Sequence, residues 1–202
     1  MAQHTADGSH GFLAAPEETP EVVAAYADDL ASDGYVMNLT RVWAHLPEAQ
    51  PLLSRFLEHA VAEGGLTFRD RAVLVSATAA TLGDSYCSLA WGGRLAGVSD
   101  EETAAAVVRG DDAGLDERER VLAAWARAVT DDPNATSSRD VEALREVGYD
   151  DRAILAITLY VAGRIAFSTV NDALGARPDR QLAEAAPGLA DAIDFGRPVA
   201  GQ

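Results

Sequence analysis

Residues Leu66 to Ser99, LTFRDRAVLVSATAATLGDSYCSLAWGGRLAGVS, constrain this chain more than any other stretch. Ala72, Val73, Val75, Ala77, Ala79, Ala80 and Leu82 give a first helix the character of a core element. Gly83 breaks that helix, and Asp84 is a good N-cap for the next one. Ser85, Tyr86 and Cys87 are then its first three helical positions. Cys87 is the only cysteine of the chain, and it falls at the positive end of a helix dipole, which favours a thiolate. The adjacent carboxylate of Asp84 works the other way. Trp91 follows one turn later on the same face. Gly92 and Gly93 lower the stability of a helix interior, so close packing against another element is expected there.

The rest of the chain reads as helices. Glu21 to Ala31, Tyr35 to His45 and Pro47 to Glu63 come first, the last carrying Leu52, Leu53, Phe56, Leu57 and Val61 at helical spacing. Ser99 to Glu102 has the S-x-x-E form of a capping box for a helix over Asp100 to Arg109. Asp116 to Thr130 is amphipathic, and Ser137 or Ser138 caps a short helix ending at Gly148. Tyr149 to Leu174 is a second core helix, capped by Asp150 or Asp151 and apolar around most of its circumference. Its one polar stripe, Arg164, Ser168, Asn171 and Asp172, suits either a pocket wall or an ion-pair network at a subunit contact. No strand pattern, phosphate-binding glycine loop or metal-spaced His/Glu cluster is visible. The expectation is an all-α single domain over residues 17–179, with a flexible tail at 1–16 holding His4 and His10, and a short helix and arm at 180–202.

Charge narrows the function. The net charge is −16, and all sixteen basic residues are arginine. Without lysine there is no Schiff-base catalysis and no Walker-type phosphate lysine. Such acidity argues against nucleic acid and anionic membranes as partners. The apolar run within Ala153 to Val170 is interrupted by Thr158, Arg164 and Ser168, and so reads as a buried helix. One cysteine rules out an internal disulfide framework. With no leader-like N-terminal pattern, a cytoplasmic bacterial protein is expected. No cofactor and no metal are expected. His45 and His59 are the histidines of the ordered body, read as structural or surface groups and as the remaining candidates for an imidazole base.

The central stretch resembles the core of the carboxymuconolactone decarboxylase and alkylhydroperoxidase D (AhpD) family, in its peroxidase-related branch. Leu66-Thr67-Phe68-Arg69-Asp70-Arg71 matches the family's helix opening. Asp84-Ser85-Tyr86-Cys87-Ser88-Leu89-Ala90-Trp91 matches its C-x-Y-C-x-x-x-H frame, and Gly97-Val98-Ser99-Asp100-Glu101-Glu102 its helix break. The resemblance runs more weakly from about Tyr35 to Asp179. It implies an AhpD-like helical fold and assembly through core helices, from dimer to hexamer. It also implies peroxide reduction by a dithiol, with glutamate and histidine relaying protons. The resolving cysteine is Asp84 here, the histidine is Trp91 and the glutamate falls on Ala72. One cysteine cannot close the intramolecular disulfide.

Three readings therefore stay open. One is a divergent AhpD-like oxidoreductase with a single peroxidatic thiol. Another is a different enzyme on the same fold, acting on a small organic acid or secondary metabolite. The third is a non-catalytic oligomeric binding protein. The candidate catalytic residues are Cys87, Asp84 and Tyr86, with Trp91 and Ala72 as pocket residues. Asp84 serves as a general acid if its carboxylate is free, and as a helix cap if it accepts a backbone N–H.

Overall fold

The computed structural model describes residues 11–201, and among them every regular element is helical. The order is α1 (Pro20–Ser32), α2 (Asn38–Trp43), α3 (Ala49–Gly64), α4 (Phe68–Leu82), α5 (Ser85–Val98) and α6 (Glu101–Val108). Then follow α7 (Glu117–Asp131), α8 (Ser138–Glu146), α9 (Asp151–Ala173), α10 (Arg180–Ala185) and α11 (Pro187–Ala190). His4 and His10 lie outside the described residues. Residues 11–16 run against the body: the Phe12 N–H donates to the Leu174 carbonyl at 2.8 Å, and the Phe12 ring lies 4.7 Å from the Arg197 guanidinium.

α4 is the hub. Ala72, Val73, Leu74, Val75 and Ala77 are almost wholly buried, and the helix packs against α5, α6, α7 and α9. Burial on all sides explains why the α4 sequence shows no polar face. The Cys87 helix, α5, packs along α4. Its meeting with α9 is made by side chains, from Arg164 onto Cys87 and Trp91. α3 lies along α9, and α11 closes the far side of α5 and α6.

The helix ends follow their sequence signals, with some corrections. Gly83 ends α4 in the left-handed region at φ 77°, a conformation open to glycine without a Cβ penalty. Asp150 accepts from the Ala153 N–H at 2.8 Å and starts α9. The cap of α6 is Asp100, not Ser99: Asp100 Oδ1 accepts from the Thr103 N–H at 2.7 Å. Ser99 instead closes α5, its hydroxyl donating to the Leu95 carbonyl at 2.6 Å. The helix expected from Tyr35 begins only at Asn38. Asp179 fixes that start by accepting from the Asn38 N–H at 3.0 Å. The C-terminal segment holds two short helices where one was expected, and Leu189 of the second is fully buried. A Cβ on Gly92 would come within 2.7 Å of Leu189. This is the close packing foreseen for the glycine pair, and Gly92 alone makes it, because nothing lies within 4 Å of Gly93.

α9 is long and apolar enough to cross a membrane by length and composition, but half of its most apolar window is buried inside the protein. Its outer edge leaves Leu155 61 % and Leu159 38 % exposed.

Candidate functional site

Asp84 caps α5 through its side chain, and Oδ1 accepts from the Cys87 N–H at 2.9 Å. The residue has no exposed surface, and among the described residues its Oδ2 has no hydrogen-bond partner. The cap role is therefore present, and half of the carboxylate remains unused by it.

Cys87 is 2 % exposed. Burial, then the neighbouring Asp84 charge, push its thiol up to about 12, and the Arg164 charge opposes them. The helix terminus thus loses to desolvation and to its own capping carboxylate. At neutral pH Cys87 is a thiol. Two groups of the α9 polar stripe face it. Arg164 Nη2 lies 3.5 Å from Sγ, and the buried Ser168 acts to lower the thiol pKa.

The stripe continues along α9. Asn171 is buried and accepts from the Trp43 indole N–H at 2.8 Å, while its own amide nitrogen has no partner among the described residues. Asp172 is half-buried one residue later. Desolvation, then the Asp84 charge, raise its carboxyl to about 7, with Arg197 pulling the other way. The stripe offered as a pocket wall or a subunit contact thus faces the start of α5 within one chain. It brings together Asp84, Cys87, Arg164, Ser168 and Asp172.

Tyr86 points elsewhere. Its hydroxyl donates to Asp179 Oδ2 and accepts from the Leu39 N–H at 3.4 Å. Burial, then the Asp179 charge, hold it well above the usual phenol range. It ties α5 to α2 and to the start of α10. Ala72 is fully buried in the apolar core. His45 Nε2 bonds to the Ala14 carbonyl at 2.9 Å, and His59 is exposed on α3.

Trp91 is 8 % exposed and packs on Phe68 with ring centroids 6.3 Å apart. Three guanidinium groups surround its ring, those of Arg94 at 4.7 Å, Arg164 at 5.2 Å and Arg71 at 5.6 Å. Sequence reasoning missed this grouping because its members come from α4, α5 and α9. The only local signal was Arg94, three residues after Trp91 and so on the same face.

The C-terminal arm closes the start of α5. The Ser85 hydroxyl donates to the Arg197 carbonyl at 2.7 Å and accepts from the Arg197 N–H at 3.0 Å. A Cβ on Gly196 would come within 2.5 Å of the Gly83 carbonyl oxygen. A groove of about 400 Å³ runs beside this clasp, with Ser85, Leu89, Phe195 and Arg197 on its walls. A second, of about 470 Å³, passes over Leu89, Ala90, Gly93 and Arg94. Asp84, Cys87 and Trp91 line neither groove. No group of His, Cys, Asp and Glu among the described residues has the arrangement of a metal site.

Residues 47–128, from α3 through most of α7, match the model of the carboxymuconolactone decarboxylase family. Over this segment the chain is similar to that family. The fold is AhpD-like over nearly the whole chain. A peroxidase-related protein from Silicibacter sp. TM1040 is 21 % identical, with 90 % of this chain and 97 % of that one aligned at a TM-score of 0.75. A peroxidase-related protein from Ralstonia eutropha JMP134, described as an alkylhydroperoxidase AhpD core, is 24 % identical. It aligns over 86 % of this chain and 94 % of its own, also at 0.75. The debrominase Bmp8, in its apo form, is 15 % identical over 87 % of this chain and 92 % of its own, at 0.67. No curated protein matches the chain significantly.

Proposed function

We propose that this protein uses the AhpD-like fold for proton transfer on a small organic acid, with Asp172 as the group that gives or takes the proton. The observation that carries this reading is the convergence of Asp84 and Asp172 on one buried polar cluster beside Cys87. Two carboxylates sharing a desolvated region do not both ionise freely, and the one held near neutrality is suited to general acid–base work. Asp84 is fixed by its cap bond to the Cys87 N–H. Asp172 is half-buried, with partial access to solvent. Cys87, as a protonated thiol, serves as a positioned weak donor and not as the nucleophile. The fold-level likeness to a debrominase supports the idea that this scaffold is not tied to peroxide chemistry. The protein works as a homo-oligomer in the cytoplasm, with the exposed outer edge of α9, Leu155 and Leu159, in the contact.

A second reading has its own observation. Arg164 Nη2 lies 3.5 Å from the Cys87 sulfur, where a guanidinium would stabilise a thiolate once formed. In that case the Cys87 thiolate attacks the terminal oxygen of a hydroperoxide. The O–O bond breaks, an alcohol leaves and a sulfenic acid forms. One external thiol then condenses with it, releasing water, and a second reduces the mixed disulfide.

One experiment separates the two. Consumption of cumene hydroperoxide with dithiothreitol is measured beside solvent-deuterium exchange into a panel of β-keto acids and unsaturated lactones. The acid–base reading expects exchange that Asp172→Asn abolishes and Cys87→Ala retains. Hydroperoxide turnover lost in Cys87→Ala, with no exchange into any acid, overturns it in favour of the thiol.

A further inference from the structure

The three guanidinium groups around Trp91 have no carboxylate. Six other arginines of the described chain, Arg69, Arg118, Arg127, Arg145, Arg152 and Arg180, form ion pairs. Arg41, Arg55, Arg109, Arg120, Arg139, Arg177 and Arg197 form none among the described residues, so a missing carboxylate does not by itself set an arginine apart; the gathering of three such arginines on one ring does. Arg71, Arg94 and Arg164 share one indole ring, and no carboxylate oxygen lies within 4.0 Å of them among the described residues.

Arg164 is the most telling. It is 7 % exposed, held between Trp91 and Phe167 with its guanidinium 4.7 Å from the Phe167 ring. Its Nε has no hydrogen-bond partner, and its Nη2 reaches only the Cys87 sulfur. Arg71 Nε, buried between Phe68 and Trp91, also has no partner. Like charges gathered on an apolar surface destabilise one another, and cation–π contact with one ring offsets only part of that. Arg94 and Phe68 are both exposed, Phe68 at 47 %, so the group opens to solvent on one side.

We infer that Arg71, Arg94 and Arg164 around Trp91 form a binding site for an organic carboxylate with a flat apolar body. A carboxylate supplies the acceptors that the guanidinium forks lack, and in the paired geometry that planar forks favour. The exposed Phe68 edge supplies an apolar platform for the rest of the ligand. A local concentration of cationic groups is also what a chain of net charge −16 needs to attract an anion at all. This site names the substrate class for the acid–base reading above. The two share Arg164, but the carboxylate site is tested through Arg71 and Arg94 and the acid–base reading through Asp172, so either can fail alone.

The test is a titration of the full-length protein with sodium benzoate, followed by the NMR signal of the Trp91 indole N–H, assigned with Trp91→Phe. Benzamide serves as the neutral isostere, and sodium chloride and sodium phosphate at equal ionic strength serve as anion controls. A saturable shift is expected with benzoate alone. Its Kd should rise about tenfold or more in Arg94→Gln and in Arg71→Gln, the loss of one charge-assisted pair, and stay unchanged in the surface variant Arg109→Gln. Arg94 is exposed, so that variant folds even if Arg164→Gln does not. Equal shifts with benzamide overturn the inference. So do equal shifts with phosphate or chloride, or a Kd that ignores Arg71 and Arg94. Failure here leaves the deuterium-exchange result at Asp172 standing, because that experiment reads turnover and not carboxylate affinity.

Discussion

α4 and α5 both begin beside a buried aspartate, and the two starts treat charge in opposite ways. At α4, Asp70 accepts from the Thr67 N–H at 2.8 Å and from Arg118 at 3.0 Å. Beside it Glu119 is held by Arg69 and also accepts from the Asp116 N–H at 3.0 Å. Each buried carboxylate there has both a guanidinium and a backbone donor. At α5, Asp84 accepts from a backbone N–H and forms no ion pair among the described residues, and the arginine group around Trp91 has no carboxylate. A closed set of pairs holds helices in place. Charges of opposite sign kept apart in a desolvated region are poised to act on something else. The α4 start is structural and the α5 start is the site, although both come from one motif, Leu66 to Ser99.

The contrast breaks first on turnover. Asp172→Asn should reduce the proposed exchange reaction by about 100-fold or more, the usual contribution of one acid–base group, with Asp70→Asn far less affected. Rates of deuterium exchange for the two variants, side by side, check this. On stability the order reverses. Asp70→Ala removes a capping-box partner and leaves Arg118 without its carboxylate, so urea denaturation should show a loss of about 2–3 kcal/mol. This sits below the range for fully buried pairs because the Arg118 side chain is 37 % exposed.

A smaller effect follows from pH. The folded-state pKa of Asp172, about 7, lies above its unfolded value near 4. The native state therefore binds the extra proton, and stability falls as pH rises from about 4 to about 7, then levels off. Asp172→Asn should remove that slope and be the more stable protein above pH 7. Because the group is half in solvent, the gain is on the order of 1–2 kcal/mol after screening. Urea midpoints at pH 5 and pH 8 measure it. The smallest change is Asp84→Ala, at about 1 kcal/mol for a lost N-cap. The sharper readout is the Cys87 thiol: removing the carboxylate should bring its pKa down from about 12, visible as thiolate absorbance at a lower pH. A pKa unchanged in Asp84→Ala would mean that burial alone sets it.

Local signals carried the fold. Asp84, Asp150 and Gly83 behave as their chemistry requires, because a cap is decided within four residues. Ser99 and Asp100 show the limit, since two good cap residues stood side by side and the hydroxyl found a closer acceptor in the preceding turn. The site was legible only as parts. Cys87, Asp84 and the stripe Arg164 to Asp172 could each be picked out, but the contact between them spans 77 residues of sequence from Cys87 to Arg164. Periodicity gives the face of a helix and not its neighbour, so the arginine group around Trp91 had no signature in the letters.

The Ser85–Arg197 clasp joins positions 112 residues apart. A closure over such a distance forms late, after the helices on either side are in place. The arm is held by these two hydrogen bonds and by others from Arg197 to the Asp172 carbonyl and from Arg177 to the Pro198 and Val199 carbonyls, most of them at the surface, so it opens more readily than the α4 core beneath it and without global unfolding. The cover over the start of α5 therefore has its own equilibrium, set at the far end of the chain. Amide hydrogen exchange at Arg197 should run ahead of exchange in α4, and its rate gives how often that helix start is uncovered.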